Sequence, residues 1–296
     1  MSISKMNVIS HNHIYNTPRA AICINDGWHG GHIIEFNDVH NTVRETGDHG
    51  PFNSWGRERF WCHRQSHGRG ASHPAGDVLA DAEYTTVIRN NRFTDNSGWG
   101  IDLDDGTSNY HVYDNLCIGV SIKLREGDYR TVENNIFYKG ANPPGFHRGY
   151  VDNKDIFRRN IVVVDTLRYN PTEDINFKGG SVSEKVLHFI GVPGTERKWV
   201  HVLDSNLYSS STGKFKARVD AGGRDAGVES KNFDIEEWKD LGFDLHSIIA
   251  DPLFIDPEAG NFKLQKESPA FNIGFMEFPL DQFGLTGKFS NIWTKE

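Results

Sequence analysis

His111-Val-Tyr-Asp-Asn115-Leu116 returns 20 residues later as Thr131-Val-Glu-Asn-Asn135-Ile136, and again as Ile156-Phe-Arg-Arg-Asn160-Ile161. In each copy, apolar or β-branched residues alternate around an Asn that is followed by another apolar residue. The same phrase occurs earlier as Val8-Ile-Ser-His-Asn12-His-Ile14, Ile33-Ile-Glu-Phe-Asn37-Asp-Val39 and Val87-Ile-Arg-Asn-Asn91-Arg-Phe93, and later as Val202-Leu-Asp-Ser-Asn206-Leu207. Successive asparagines are separated by 25, 54, 24, 20, 25 and 46 residues. A period of roughly 20–25 residues with strand-like alternation suits one coil of a solenoid, in which each strand pairs with its equivalent in the next coil. The two long spacings read as coils that were expanded or lost their Asn. Asn suits the repeated position because it tolerates the left-handed backbone at a bend, and because stacked copies can form an amide ladder. The expected fold class is all-β, a right-handed parallel β-helix. Irregular Asn-rich sandwich strands fit less well, since hairpin turns at 8–12-residue spacing are scarce.

A chain of 296 residues can bury a large core. Its net charge of −8 and pI near 6.0 argue against a nucleic-acid partner held by phosphate contacts. Cys23, Cys62 and Cys117 are odd in number, widely spaced and without a CxxC, so they outline neither a zinc site nor a disulfide framework. No apolar run reaches membrane-spanning length, and Met1-Ser-Ile-Ser-Lys5 does not begin a signal peptide. The repeat starts at Val8 with no capping element before it. A solenoid needs its end covered, so the reading is a β-helix lacking its N-terminal coils and cap, or one whose first rung is covered by a homo-oligomer or partner subunit.

Within this frame, residues 1–245 form the β-helix and 246–296 a capping segment of the same domain. Gly27-Trp-His-Gly-Gly31 reads as a turn between the first two coils, with Trp28 as a groove wall. Residues 43–83 are an inserted loop. It carries Glu45-Thr-Gly-Asp48-His49-Gly-Pro-Phe-Asn-Ser-Trp55-Gly-Arg57-Glu-Arg-Phe-Trp61, which is rich in acids, arginines and aromatics, and then His63, His67 and His73. Those histidines lie on no regular element and no nearby Cys or acid completes a set, so no metal site is assigned. Ile235-Glu-Glu-Trp-Lys-Asp-Leu-Gly-Phe reads as a short helix ending near Gly242.

In Ile101-Asp-Leu-Asp104 and Ile122-Lys-Leu-Arg125 the alternation sends the apolar residues to the core and the charged ones outward. Counted from the Asn that starts each coil, Asp48, Asp102 and Glu126 each lie 11 residues on. Equal phase would stack the three carboxylates in one stripe, with rungs about 4.8 Å apart. Crowded carboxylates raise one another's pKa, which keeps a general acid protonated near neutrality. Arg57, Arg59 and Arg125 could hold the others ionised, while Trp55, Trp61 and Trp99 could stack on sugar faces. The plain alternative is a solvated acidic face with an occasional structural Ca²⁺; no other cofactor is expected.

The stretches Glu45–Arg57, Ile101-Asp-Leu-Asp-Asp105-Gly-Thr-Ser-Asn-Tyr, Ile122-Lys-Leu-Arg-Glu126-Gly and Ala250-Asp-Pro-Leu-Phe resemble right-handed parallel β-helix proteins of the glycoside hydrolase family 141 type. The resemblance spans most of the chain. It implies a secreted or periplasmic enzyme of plant polysaccharide breakdown, with xylanase or α-L-fucosidase activity and two catalytic aspartates. Asp48 matches one of the pair and the Asp102–Asp105 cluster the other. Set beside that resemblance, the chain reads as one without the N-terminal coils of family members, which would hold part of the substrate groove.

The favoured function is hydrolysis of a polysaccharide substrate such as xylan or a fucosylated pectic glycan. Asp48 and Asp102 form the first catalytic pair, with Asp104 and Glu126 as substitutes. Glu45, His49, Trp55, Arg57, Trp99, Asp105, Lys123 and Arg125 are the expected substrate contacts. Two other readings stand beside it: a polysaccharide lyase using Lys123 and Arg125 on a uronate polymer, and a carbohydrate-binding fragment without turnover. Fold alone cannot choose among them.

Overall fold

A computed structural model describes residues 2–57, 61, 77–96, 98–148, 153–165, 185–191, 199–220 and 230–287. The excursion with His63, His67 and His73, and Arg59, lie outside the described residues. The chain is all-β, with its strands gathered into long parallel sheets.

Among the described residues, three large sheets are visited in rotation, each circuit of chain adding one strand to each sheet. Sheet 1 runs Ser2–Lys5, Ile22–Gly30, Phe52–Trp55, Ile101–Asp104, Ile122–Arg125, Gly145–His147, Leu187–Ile190 and Ala217–Asp220, closed by an antiparallel Lys231–Phe233. Sheet 2 runs from Val8–Ser10 to Val202–Asp204, and sheet 3 from His13–Tyr15 to Ile248–Ile249. The 54- and 46-residue Asn spacings are single circuits with long excursions, since Ile33–Glu35 pairs directly with Thr86–Arg89, and Ile156–Arg158 with Val202–Asp204.

Parallel pairing in register stacks like on like. Ile34, Ile88, Val112, Val132, Phe157 and Leu203 form one inward column on sheet 2, all buried. Each such side chain contributes about 1.5–3 kcal/mol by leaving water. Ile101, Leu103, Ile122 and Leu124 point into the same core, as the alternation requires.

The repeated asparagines form the expected ladder. Each side-chain amide donates to the Oδ1 of the next, from Asn12 through Asn37, Asn91, Asn115, Asn135 and Asn160 to Asn206, at 2.9–3.3 Å. Each Oδ1 also accepts the backbone N–H of the preceding Asn, so a bend that would bury unpaired polar groups becomes fully bonded. The residue before the ladder Asn takes the left-handed backbone, as at His11, Phe36, Asn90, Asp114, Asn134, Arg159 and Ser205. At the last rung the column ends on Ser247 Oγ and the buried Asp244 carboxylate, which also accepts from Trp238 and Tyr208. Burial pushes the Asp244 carboxyl up to about 6, against the bonds it accepts.

The helix falls where the sequence places it, at Ile235–Asp240, with an Asp234/Glu237 capping box and Gly242 just beyond its end. Its Trp238 is wholly buried beside Trp199 and Phe243. Two expectations change. Gly27–Gly30 is not a turn but the end of the strand Ile22–Gly30, because His29 and Gly30 pair with Ser4 and Lys5. Trp28 there is exposed. The segment after 246 does not simply close the end; residues 231–244 do that. After contributing Ile248–Ile249 to sheet 3, the chain runs back along the outside of that sheet. There Phe254, Phe262, Ile273 and Phe275 cover Leu116, Ile136, Ile161 and Leu207. It reaches the early circuits, where Gly284 N–H donates to Phe36 O at 2.7 Å. From Leu116 onward sheet 3 is apolar on both faces, so its outer face there needs this cover.

Candidate active site on the outer face of sheet 1

The register of sheet 1 sets the outward residues in two parallel rows. One row runs Cys23, Asn53, Asp102, Lys123, Gly145, His188, Arg218. The other includes Trp55, Asp104, Arg125, His147, Ile190 and Asp220. Rung-to-rung stacking places Asp104 beside Arg125 one strand away, and Asp102 beside Lys123.

Lys123 is the hub. Its Nζ stands 2.9 Å from Asp102 Oδ1, 3.3 Å from Asp48 Oδ1 and 3.5 Å from Asp104 Oδ2. Asp102 and Lys123 do lie on the outer face, but they are not open to solvent: Asp102 has 0% of its surface exposed and Lys123 2%. The loop carrying Asp48 and His49 folds over them, joined to the next circuit by Trp99 N–H donating to His49 O. Gly50 permits this close approach, because a Cβ there would lie 1.9 Å from Trp99 O. Asp48 sits on the outside of this lid with 72% of its side chain exposed.

Burial drives the chemistry. Desolvation pushes the Asp102 carboxyl up to about 8, with Lys123 opposing it and Asp104 and Asp48 adding to it. Desolvation also lowers Lys123, but Asp102, Asp104 and Asp48 outweigh it and the ammonium is held above its ordinary value. Burial thus favours the protonated form of Asp102 toward neutral pH, while Asp104 and Asp48 keep the lysine beside it charged. Asn53 Nδ2 donates to Asp102 Oδ2 at 3.1 Å. Arg19 donates to His49 Nε2 at 2.8 Å, and His49 Nδ1–H donates to Thr46 Oγ1 at 2.9 Å; burial, then Arg19, keeps that imidazole neutral.

A second layer lies at the bend after these strands. Arg125 contacts Asp104 at 3.1 Å, Asp105 at 3.4 Å and Glu126 at 3.8 Å. Arg57 pairs with Asp105 at 2.9 Å, and Arg148 with Glu126 at 3.0 Å. Trp61 Nε1 donates to Glu126 Oε2 at 3.1 Å.

Compared with known proteins, the chain matches no family model, no curated protein and no solved structure.

Asp48, Asp102, Asp104, Lys123 and Arg125 thus meet at one place, with His49, Trp99, Asp105 and Arg57 around them. The three-carboxylate stripe does not form. Asp102 is in register with Asn53 and Lys123, and Glu126 lies three residues farther along at the bend, because the circuits differ in length between Asn and strand. Asp48 joins from the lid rather than from a rung. Glu45 is exposed on that lid, with its backbone N–H on Pro18 O. The tryptophans differ from expectation too. Trp99 is buried, with Lys123 over its ring at 5.6 Å and His147 edge-on, so it walls the lysine cage. The Trp55 ring is met by Arg19 at 5.2 Å and Arg57 at 5.6 Å. Arg19, Asn53, His147 and His188 were missing from the sequence reading. The alternation in Gly145-Phe-His147 matches that of Ile122-Lys-Leu-Arg125 and could have revealed His147; Arg19 carried no signal. Among the described residues no group of three metal-ligating side chains assembles.

Proposed function

We propose that the chain is a right-handed parallel β-helix glycoside hydrolase whose reacting carboxylates are Asp48 and Asp104. The observation that carries this reading is the shared Lys123 ammonium: both carboxylates touch it from the solvent side, while Asp102 touches it from the buried side. The two contact distances limit the approaching oxygens to a separation of about 7 Å, which admits the roughly 5–5.5 Å spacing of retaining enzymes. Asp104, fixed by Arg125 and Lys123, is assigned as nucleophile. Asp48, the most exposed of the three, is assigned as proton donor to the leaving oxygen. Asp102 has no exposed surface and so exchanges its sequence-assigned place in the pair for that of a support that holds Lys123 from behind. The three sheets visited in rotation and the unbroken Asn ladder support the β-helix, and the motif resemblance supports xylan or a fucosylated pectic glycan as substrate.

A lyase reading needs a basic residue that gives up its proton near neutrality. Lys123 and Arg125 are instead both held in their charged forms by the surrounding carboxylates, after the opposing effect of burial. The deciding experiment is release of reducing ends from xylans, pectic fractions and fucosylated glycans by wild type, Asp48→Asn and Asp104→Asn. Loss in both folded variants, with retained anomeric configuration in the wild-type product, is expected. An unsaturated, ultraviolet-absorbing product would replace this reading with the lyase, and no release by wild type would leave a binding protein.

A further inference from the structure

The second layer of the site has a consistent orientation: in each ion pair the carboxylate lies beneath and the guanidinium outside. Arg57 is 49% exposed over an Asp105 that is 13% exposed. Arg148 is 36% exposed over a Glu126 that is 7% exposed. The surface flanking Asp48 is therefore presented to solvent as guanidinium, on a chain whose net charge is −8. Arg57 spends Nε and one terminal nitrogen on Asp105 while its guanidinium lies over the Trp55 and Trp61 rings, and Arg148 uses one nitrogen on Glu126, so each keeps N–H donors that these pairs do not use. Outward, preorganised guanidinium donors match the planar, bidentate geometry of an oxyanion. The arrangement spans four circuits, its ends three rungs apart: Arg57 follows Trp55, Asp105 follows Asp104, Glu126 follows Arg125 and Arg148 follows His147, in neighbouring strands. At about 4.8 Å per rung the backbones of Arg57 and Arg148 stand roughly 14 Å apart, with the strand of Lys123 between them, and each guanidinium reaches inward to the acid on the neighbouring strand.

We propose that Arg57 and Arg148 are specificity determinants for an acidic glycan, one that bears carboxylate or sulfate groups on sugars either side of the bond at Asp48 and Asp104. The inference rests on the hydrolase reading for the location of that bond, but binding tests it separately. Affinity electrophoresis of the Asp48→Asn protein through gels containing polygalacturonate, the same polymer after reduction of its carboxyls, a sulfated galactan and its desulfated form measures retardation at low and high salt. Retardation by at least one acidic polymer, at least tenfold weaker with its neutralised form and weakened by salt, is expected. Arg57→Gln and Arg148→Gln should each lose severalfold, and Arg57→Lys should recover less than half of that loss, because a point charge lacks the fork. Retention of binding by Asp48→Asn beside a wild type that releases no sugar would remove the hydrolase reading and leave the acidic-glycan site standing. Equal retardation by acidic and neutralised polymers, no retardation by any of them, or equal retardation by single-stranded DNA at the same salt would overturn the proposal. Thermal unfolding of each variant identifies one that has failed to fold; the polymer comparison on the Asp48→Asn protein does not depend on those variants.

Discussion

Replacing Asp102 by Asn tests the protonated hub through stability rather than activity. The unfolded chain ionises this carboxyl near its ordinary value of 3.8, whereas burial holds it protonated up to about 8. Between those values the folded protein binds one proton more than the unfolded chain, so this residue's contribution to stability declines as pH rises. The slope is about 1.4 kcal/mol per pH unit, and from pH 5 to pH 8 it amounts to about 4 kcal/mol. The cost is absent below the unfolded value and complete above about 8. Asn has the shape of the protonated acid and no proton to lose, so Asp102→Asn should lack this slope. Urea unfolding at pH 5, 6, 7 and 8, read at constant m, should show the variant ahead of wild type by only about 2 kcal/mol at pH 5 and gaining on it steadily up to pH 8. A difference that stays constant over this range would refute the reasoning: Asp102 would then be ionised throughout in a plain salt bridge with Lys123.

Other expectations follow from the same contacts. Asn115→Ala removes three donated and two accepted bonds and strands the buried Asn91 N–H; it should cost about 3–5 kcal/mol in urea unfolding, and a cost under about 1 kcal/mol would show the ladder to be ornamental. Asp48→Asn, on an exposed lid position, should lower kcat by more than about a hundredfold while leaving the melting temperature unchanged, a pairing that a structural role could not produce. Glu133 is held down to about 2 by Arg158, Arg159 and His111 against its own burial. Its contribution is present above the ordinary carboxylate value of 4.5 and is lost as pH falls toward 2, so Glu133→Gln should make acid unfolding shallower in that window. Asp244→Ala should expose the last rung by unbonding Trp238, Tyr208 and Ser247 together, seen as a blue-to-red shift of tryptophan emission well below the wild-type melting temperature.

The fold was legible because its period is written in one residue type. Each ladder Asn is needed at the same bend, so the spacing survives in the sequence even where excursions stretch it to 54 residues. The inward faces of sheets 1 and 2 were legible through simple alternation, as at Ile101 and Leu103. Sheet 3 was less so: Leu116-Cys-Ile and Ile161-Val-Val-Val are apolar without a break, the mark of strands buried on both faces, and the strap of residues 250–287 is what buries the second face. For the site, the residues were named but not their register. Phase counted from Asn fails because Asp102 lies 11 residues after its Asn and its strand partner Lys123 only 8 after its own. Nor does the local sequence disclose that Lys123 is buried; that depends on a lid from 75 residues away.

The Asn ladder also bears on how such a chain can change. Asn37 and Asn91 are bonded at 2.9 Å across 54 residues, while Asn115 and Asn135 are bonded at 3.0 Å across 20. Closing the longer circuit costs only about 0.9 kcal/mol more in loop entropy, less than the bonds that one rung restores. Each circuit therefore behaves as a socket of fixed width, into which excursions of very different length can be fitted without displacing their neighbours. Exchanging the segment between Arg57 and Tyr84 for another should leave the frame that carries Asp104 and Lys123 in place.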